Sequence, residues 1–321
     1  MTIALDAMGG DFAPKAVLEG ALLANQFLGI GYKILLVGDQ ETIRSGLSSL
    51  GVNPDLFEIR HAPTVIEMGE HPAKAFAQKP DSSIAVGFGL LQSGEAQAFC
   101  SAGNTGAMMV GSMFTIKALS GILRPAIMGY LPKEHGNIGV LVDIGLNADC
   151  KPEQLNQFAE LGKVYAECIL EIPNPTVGLL NLGEEEQKGN ILTQAAYQLL
   201  KVNPNINFIG NIEGRDIFSN KADIVVCDGF VGNVITKMAE QFYDIVSSRG
   251  VNDDFANRLN YEVVGGSPIV GVDGNVVIGH GVSSPLAIKN MILVARKMIA
   301  SDMLNLLKRA LLNSANTSNV K

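Results

Sequence analysis

The sequence is poor in the residues that usually announce a metal or redox centre. Its four cysteines, Cys100, Cys150, Cys168 and Cys227, show no CxxC spacing and no histidine at a metal-like interval, so they read as reduced thiols, mostly in the core. The histidines at 61, 71 and 135 are scattered and support no metal site. GxGxxG, GK[ST], HExxH and GxSxG are all absent, which weakens dinucleotide, P-loop, zincin and serine-hydrolase readings. No unbroken apolar run of about 18 residues occurs, so nothing is expected to span a membrane. The chain starts directly on the strand-like TIALD, which leaves no room for a signal peptide; a cytoplasmic location is the expectation. Positive charge is also scarce: a net charge of −8 argues against nucleic acid as a partner.

What is present is apolar. Of 321 residues 47% are hydrophobic and 17% charged, enough for a large core and about two lobes of ordinary size. The charge is uneven, because residues 286–321 carry six Lys/Arg against one Asp. That basic end reads either as a solvated helix face or as a surface for an acidic partner.

Short runs of Val, Ile and Leu alternate with segments of helical period. Strands are predicted at 3–5, 33–37, 97–100, 127–131, 138–142, 177–181, 207–209 and 224–227, most of them apolar throughout, as strands covered on both faces are. Helices are predicted at 14–27, 40–50, 104–117, 152–170, 191–201, 232–248 and 285–312. The runs 269–272 and 276–278 flank Asp273-Gly274 and read as a hairpin. The fold class is therefore α/β, a largely parallel sheet with helices on both faces. No linker is visible, so residues 1–313 read as one catalytic unit with any lobe boundary unmarked, and 314–321 as a polar tail.

Three glycine-rich segments stand where apolar runs end: SAGNTGA at 101–107, DGFVGN at 228–233 and VGGSPIVGVDG at 264–274. A helix start leaves N–H groups unpaired and carries partial positive charge, so the three are expected to converge on a phosphate or carboxylate. In the first, Ser101, Asn104 and Thr105 line the turn, and capping by Asn104 is the competing reading. In the second, Asp228 and Gly232 frame the turn, and the Asn233 amide stands in the first helical turn, able to donate to an oxyanion. DAMGGD at 6–11 places Asp6, Gly9 and Gly10 beyond the first strand, where open α/β sheets bind ligands, unless Asp11 merely caps the next helix. Lys188, in LLNLGEEEQKGN, reads as a solvated charge or a ligand. His280, in GHGVSSP, is an acid, a base or a loop-orienting residue. Val234, Ile235, Met238, Phe242, Ile245 and Val246 follow a helical period that marks core or interface.

Taken in order with HAPTVIEM (61–68), DSSI (81–84), RPAI (124–127) and NADCKPEQL (147–155), these motifs make nearly the whole chain resemble the bacterial phosphate acyltransferases of phospholipid synthesis, the PlsX family. The resemblance implies an isopropylmalate-dehydrogenase-like or phosphotransacetylase-like fold and a homodimer. It also implies transfer of a long acyl chain from acyl carrier protein to inorganic phosphate without metal or cofactor. On the same resemblance Lys188 and Asn233 hold phosphate and the transition state, with Asp6, Gly9, Gly10, Asn104, Asp228 and His280 around them. The sequence departs from the family pattern at Ala77, Pro80 and Val264-Gly265-Gly266, and the helical hairpin between Asn233 and Gly265 looks shortened. Weak or no membrane contact is therefore expected. A hydride-transfer enzyme on the related dehydrogenase fold, or a scaffold that keeps the fold without catalysis, remains an alternative at this point.

Overall fold

A computed structural model describes residues 1–318, with side chains as far as Leu312. The chain forms two compact units, Met1–Ala118 with Tyr261–Ala300, and Leu119–Asn260 with the chain from Ser301 onward. The first opens with β1 (Thr2–Asp6), α1 (Lys15–Asn25), β2 (Lys33–Gly38), α2 (Gln40–Ser49) and β3 (Glu58–His61). It continues through α3 (Pro72–Gln78), α4 (Ser83–Gln92), β4 (Ala98–Ser101) and α5 (Thr105–Gly111). The second unit contributes β5 (Ala126–Pro132), β6 (Ile138–Val142), α6 (Pro152–Ile169), β7 (Thr176–Leu180) and α7 (Ile191–Lys201). After them come β8 (Asn207–Ile212), β9 (Ile224–Val226), α8 (Gly229–Ser248) and α9 (Asp254–Arg258). The chain then returns to the first unit as α10 (Tyr261–Val264), β10 (Ser267–Val270), β11 (Asn275–Ile278) and α11 (Pro285–Ala300), and ends in the second with α12 (Met303–Ser318).

In the first unit the strand order is β3-β2-β1-β4-β11-β10, parallel except for the β10–β11 hairpin. In the second it is β5-β6-β9-β7-β8, parallel except for β5–β6. The continuous apolar runs have their cause here: every residue of β1 and of β9 is buried, as strands covered by helices on both faces require. In the first unit α1 packs against α11. Gly20 permits that approach, since a Cβ there would stand 2.5 Å from Ile288 Cβ.

Helix starts follow their capping residues. Side-chain oxygens of Asp39, Asn190 and Asp228 accept N–H bonds from Thr42, Thr193 and Val231, each at 2.9 Å. Asp228 therefore starts α8 at Gly229, three residues earlier than the helical period suggests. Asp11 caps nothing: α1 begins after Pro14 without a side-chain cap.

Three further differences from the sequence expectation have physical reasons. The long C-terminal helix is two helices, broken where Asp302 takes a left-handed φ of +54°. Strand β3 was not foreseen because EIRH is a polar edge strand with no apolar run. Helix α4 was not foreseen because Gly87 and Gly89 weaken its helical signal; Gly87 is there because the Phe99 ring fills the space a Cβ would need. As for the polar tail, α12 reaches Ser318, and residues 319–321 lie outside the described residues.

Candidate active site

In each unit a carboxylate leaves the end of a buried strand and is consumed by the fold. In the first unit Asp6 closes β1 and is 1% exposed. Its Oδ2 accepts the Ser101 hydroxyl at 2.6 Å, its Oδ1 accepts the Met8 N–H at 3.0 Å, and Ser101 Oγ in turn accepts the Gly103 N–H at 2.9 Å. Burial pushes the Asp6 carboxyl above its ordinary range, and the Ser101 bond partly offsets this. Gly9 is forced by the same cluster, for a Cβ there would lie 2.5 Å from Asp6 Oδ2; Gly10 is forced by its φ of +101°.

Asn104 is equally committed. Its Oδ1 caps α5 at the Ala107 N–H (2.9 Å), and its Nδ2 donates to the carbonyls of Glu67 (2.9 Å), Met68 (3.2 Å) and Glu70 (3.2 Å). Asn104 thus caps α5, and its amide ties the HAPTVIEM segment to the glycine turn. Thr105 is exposed at the first turn of α5. His280 follows β11, lies 5.0 Å from the Tyr261 ring between centroids, and accepts the Val282 N–H on Nδ1 at 3.4 Å, which is the loop-orienting arrangement.

The third glycine segment leads into the β10–β11 hairpin that the sequence predicts, and that pairing carries its Asp273-Gly274 turn away from the expected anion site. Because Asn275 pairs with Ala98 and Ile278 with Ser101, the Asp273-Gly274 turn lies at the opposite end of β4 from Ser101. Only Gly265 and Gly266, ahead of β10, share the Ser101 end, and there Gly265 (φ +83°) is pressed against Asn290 and Met291 of α11.

In the second unit the buried carboxylate is Asp143, which the sequence reading missed. It is fully buried after β6 and accepts four bonds: Ile127 N–H (2.9 Å) and Leu146 N–H (3.2 Å) on Oδ1, Asn147 N–H (2.7 Å) and Asn147 Nδ2 (2.9 Å) on Oδ2. Burial raises its carboxyl above the usual range, against the pull of those donors. The loop it organises seats α8: the Gly229 N–H donates to Asn147 O at 2.8 Å, and Gly232 carries no Cβ because the Asp143 carbonyl occupies that place. The available signal was an apolar strand running into Asp with a glycine close behind, two residues on in VDIG and three in LDAMGG.

Around this frame the two main candidates are exposed. Lys188 lies on the loop after β7, and Asn233, the fifth residue of α8, opens that helix's second turn after β9; β7 and β9 are parallel neighbours, so both follow the carboxyl ends of one sheet. Asn233 Nδ2 makes only a long 3.4 Å bond to Ile144 O. Lys188 enters no ion pair among the described residues, although three glutamates precede it: Glu184 takes Lys221 (2.5 Å) and Glu186 takes Lys201 (2.8 Å). Asp228 is spent as the α8 cap and lies beside the Asn233 turn. Ligands of open α/β sheets sit beyond such carboxyl ends, so an exposed lysine and an exposed amide there can hold an anion.

Among the described residues no cluster of His, Cys, Asp and Glu could hold a metal ion, and no helix is long and apolar enough to cross a membrane. All four cysteines are free. Burial, aided by Asp143, pushes the Cys150 thiol up to about 12.

Comparison with solved structures fixes the fold class. The chain resembles a phosphotransacetylase from Streptococcus pyogenes (TM-score 0.68, 18% identity, 94% of each chain). It is likewise similar to a branched-chain phosphotransacylase from Enterococcus faecalis V583 (TM-score 0.64, 15% identity, 93% of this chain and 99% of that one). This is a phosphotransacetylase-like α/β fold.

Sequence relatives narrow it further. The model of a family described as fatty acid synthesis protein matches residues 1–252. The phosphate acyltransferase of Desulforamulus reducens is 45% identical over 97% of both chains, and that of Dictyoglomus turgidum 46% identical over 93% of this chain and 94% of the relative. The chain belongs to the phosphate acyltransferase family.

Proposed function

We propose that the protein transfers a fatty acyl group from acyl carrier protein to inorganic phosphate, and that Lys188 and Asn233 bind the phosphate. As a member of its family the chain is an acyltransferase with phosphate as acceptor. One observation carries the site: Lys188, on the loop after β7, and Asn233, on the helix after β9, are exposed beyond adjacent parallel strands, while Glu184 and Glu186 are paired to Lys221 and Lys201.

A phosphate oxygen must form a bond to the thioester carbonyl carbon while the C–S bond breaks and the carrier thiol leaves with a proton. The ammonium of Lys188 lowers the cost of bringing the dianion to the carbonyl, and the Asn233 Nδ2, freed from its long bond to Ile144 O, donates to a phosphate or carbonyl oxygen as charge develops. The chemistry calls on no cofactor. The decisive experiment incubates purified protein with palmitoyl-carrier protein and phosphate. Acyl phosphate should accumulate and depend on phosphate; thioester loss independent of phosphate would reject the reading.

The assembly is part of the same proposal. Phe230, Met238 and Phe242 are 66%, 68% and 62% exposed along α8, an apolar stripe that a second copy of the chain would cover. Residues 239–263 carry five Asp/Glu against two Arg, so anionic lipid should repel this stretch and membrane contact be weak. Sedimentation as a monomer, or tight flotation with anionic liposomes, would contradict this. The acidic carrier is expected on the basic C-terminal helices, with Lys289, Arg296 and Lys297 on α11 and Lys308 and Arg309 on α12. The five residues fall on two helices, one in each unit, and Arg296 already lies over the Tyr32 ring at 5.5 Å. Charge reversal at Lys297 should raise the carrier KM; an unchanged KM places docking elsewhere.

A further inference from the structure

The loop that carries Lys188 is held in an unusual way. β7 ends at Leu180 and α7 is capped by Asn190, so neither element needs further hydrogen bonds from the loop between them. Yet the carbonyls of three successive residues, Gln187, Lys188 and Gly189, each accept a bond from a side-chain amide. Gln194 Nε2 of α7 donates to Gln187 O at 2.8 Å and to Gly189 O at 3.1 Å, bracketing the lysine. Asn181 Nδ2 donates to Lys188 O at 3.2 Å.

Behind them stands Asn211 of β8, 4% exposed. Its Oδ1 accepts from Asn181 Nδ2 at 3.1 Å, and its Nδ2 donates to Glu185 O at 2.9 Å. That same Glu185 carbonyl accepts the Lys188 N–H at 3.0 Å. Gly189 holds a φ of +102°, with Asn181 Oδ1 2.5 Å from where a Cβ would lie. The lysine backbone is thus gripped on both sides by neutral donors, while its side chain stays exposed.

We propose that Asn211, Asn181 and Gln194 form an amide clasp that positions Lys188, and so set the affinity for phosphate without touching it. This rests on the reading of Lys188 as a phosphate ligand. A lysine ammonium sits on a flexible four-carbon stem, and a misplaced binding group loses much of its effect on a reacting centre. Neutral amides do this holding without offering a rival cation to an incoming phosphate.

Gln194→Met keeps a helix former of similar length on the exposed face of α7 and removes both bracketing bonds; Asn211→Leu removes the buried anchor. Each is measured alone and combined with Lys188→Ala. Gln194→Met should raise the phosphate KM about fivefold and leave the acyl-donor KM unchanged, with at most a small fall in melting temperature from the two lost bonds. Asn211→Leu should raise the phosphate KM further. In the Lys188→Ala background neither change should lower the residual rate again.

If Lys188→Ala weakens phosphate use while both clasp variants keep the wild-type phosphate KM, the clasp is wrong and the site reading stands. A further loss of the same size in the Lys188→Ala background also rejects the clasp, since the amides would then act independently of the lysine. A wild-type phosphate KM in Lys188→Ala itself overturns the site reading and the clasp with it.

Discussion

The two units begin alike and end differently. Each runs a mainly apolar strand into a buried aspartate, Asp6 as the last residue of β1 and Asp143 just after β6, and each starts a helix from a glycine-rich turn after a neighbouring parallel strand. In the first unit the polar groups turn inward: Asp6 and Ser101 bond each other, and Asn104 spends its amide on four backbone groups. In the second, Asp143 and Asn147 turn inward, while Lys188 on the loop after β7 and Asn233 on α8 remain exposed. The same sequence grammar builds a sealed turn in one unit and an open one in the other. What separates them is whether the donors are already used.

The largest expected effect tests the sealed part of the second unit. Asp143 accepts two N–H donors on each oxygen, so in Asp143→Asn the amide NH2 faces two donors whichever way it is turned. The loss should be about 3 kcal/mol or more, at about 1–3 kcal/mol per unsatisfied buried group. Thermal unfolding reads it directly, and a melting temperature within a degree or two of wild type would show that the carboxylate is not the pin of this loop.

The open groups come next. Lys188→Ala and Asn233→Ala should each lower acyl transfer at least about tenfold without a change in melting temperature, because a charge-assisted contact contributes about 1.5–3 kcal/mol. Asn104→Ala should do the reverse: cost about 1–2 kcal/mol of stability through the lost cap and leave the phosphate KM within about twofold. A raised phosphate KM in Asn104→Ala with unchanged stability would erase the distinction between the units.

Much of this arrangement is legible in the residues. Strands buried on both faces announce themselves as unbroken Val/Ile/Leu runs, and helix starts as Asp39, Asn190 or Asp228 ahead of a helical period. Among the elements that escape, the short helices α3, α9 and α10 are too brief to show a period, and β3 and α4 have their cause elsewhere in the chain: an edge strand has no buried face to encode, and Gly87 answers to the ring of Phe99. The site is half legible for a similar reason. Lys188 and Asn233 could be named from motif resemblance, but nothing local tells that Glu184 and Glu186 are paired to Lys221 and Lys201, or that Asn104 is spent. Those facts depend on residues from about fifteen to about forty positions away.

The smallest effect, and the most specific, comes from Asp6. Asp6→Asn should be mild, about 1 kcal/mol, since Oδ1 can still accept from Met8 and the rotatable Ser101 hydroxyl can accept from the new amide. Its pH dependence carries the sign. Burial raises the folded carboxyl above 3.8, so between that value and the folded one the native state binds more proton than the unfolded chain. Stability from this group is therefore greatest at low pH and falls as pH rises through the window. Asparagine imitates the protonated form and does not titrate, so the variant should lose most ground to wild type at the acid end of the window and close the gap as pH rises through it. The exposed carboxylates whose ranges are lowered, such as Glu70 and Glu186, are common to both proteins and cancel in the difference. A gap that widens with pH would mean that the Asp6 charge is welcomed where it lies, and the first unit would then hold a second anionic centre in place of a sealed turn.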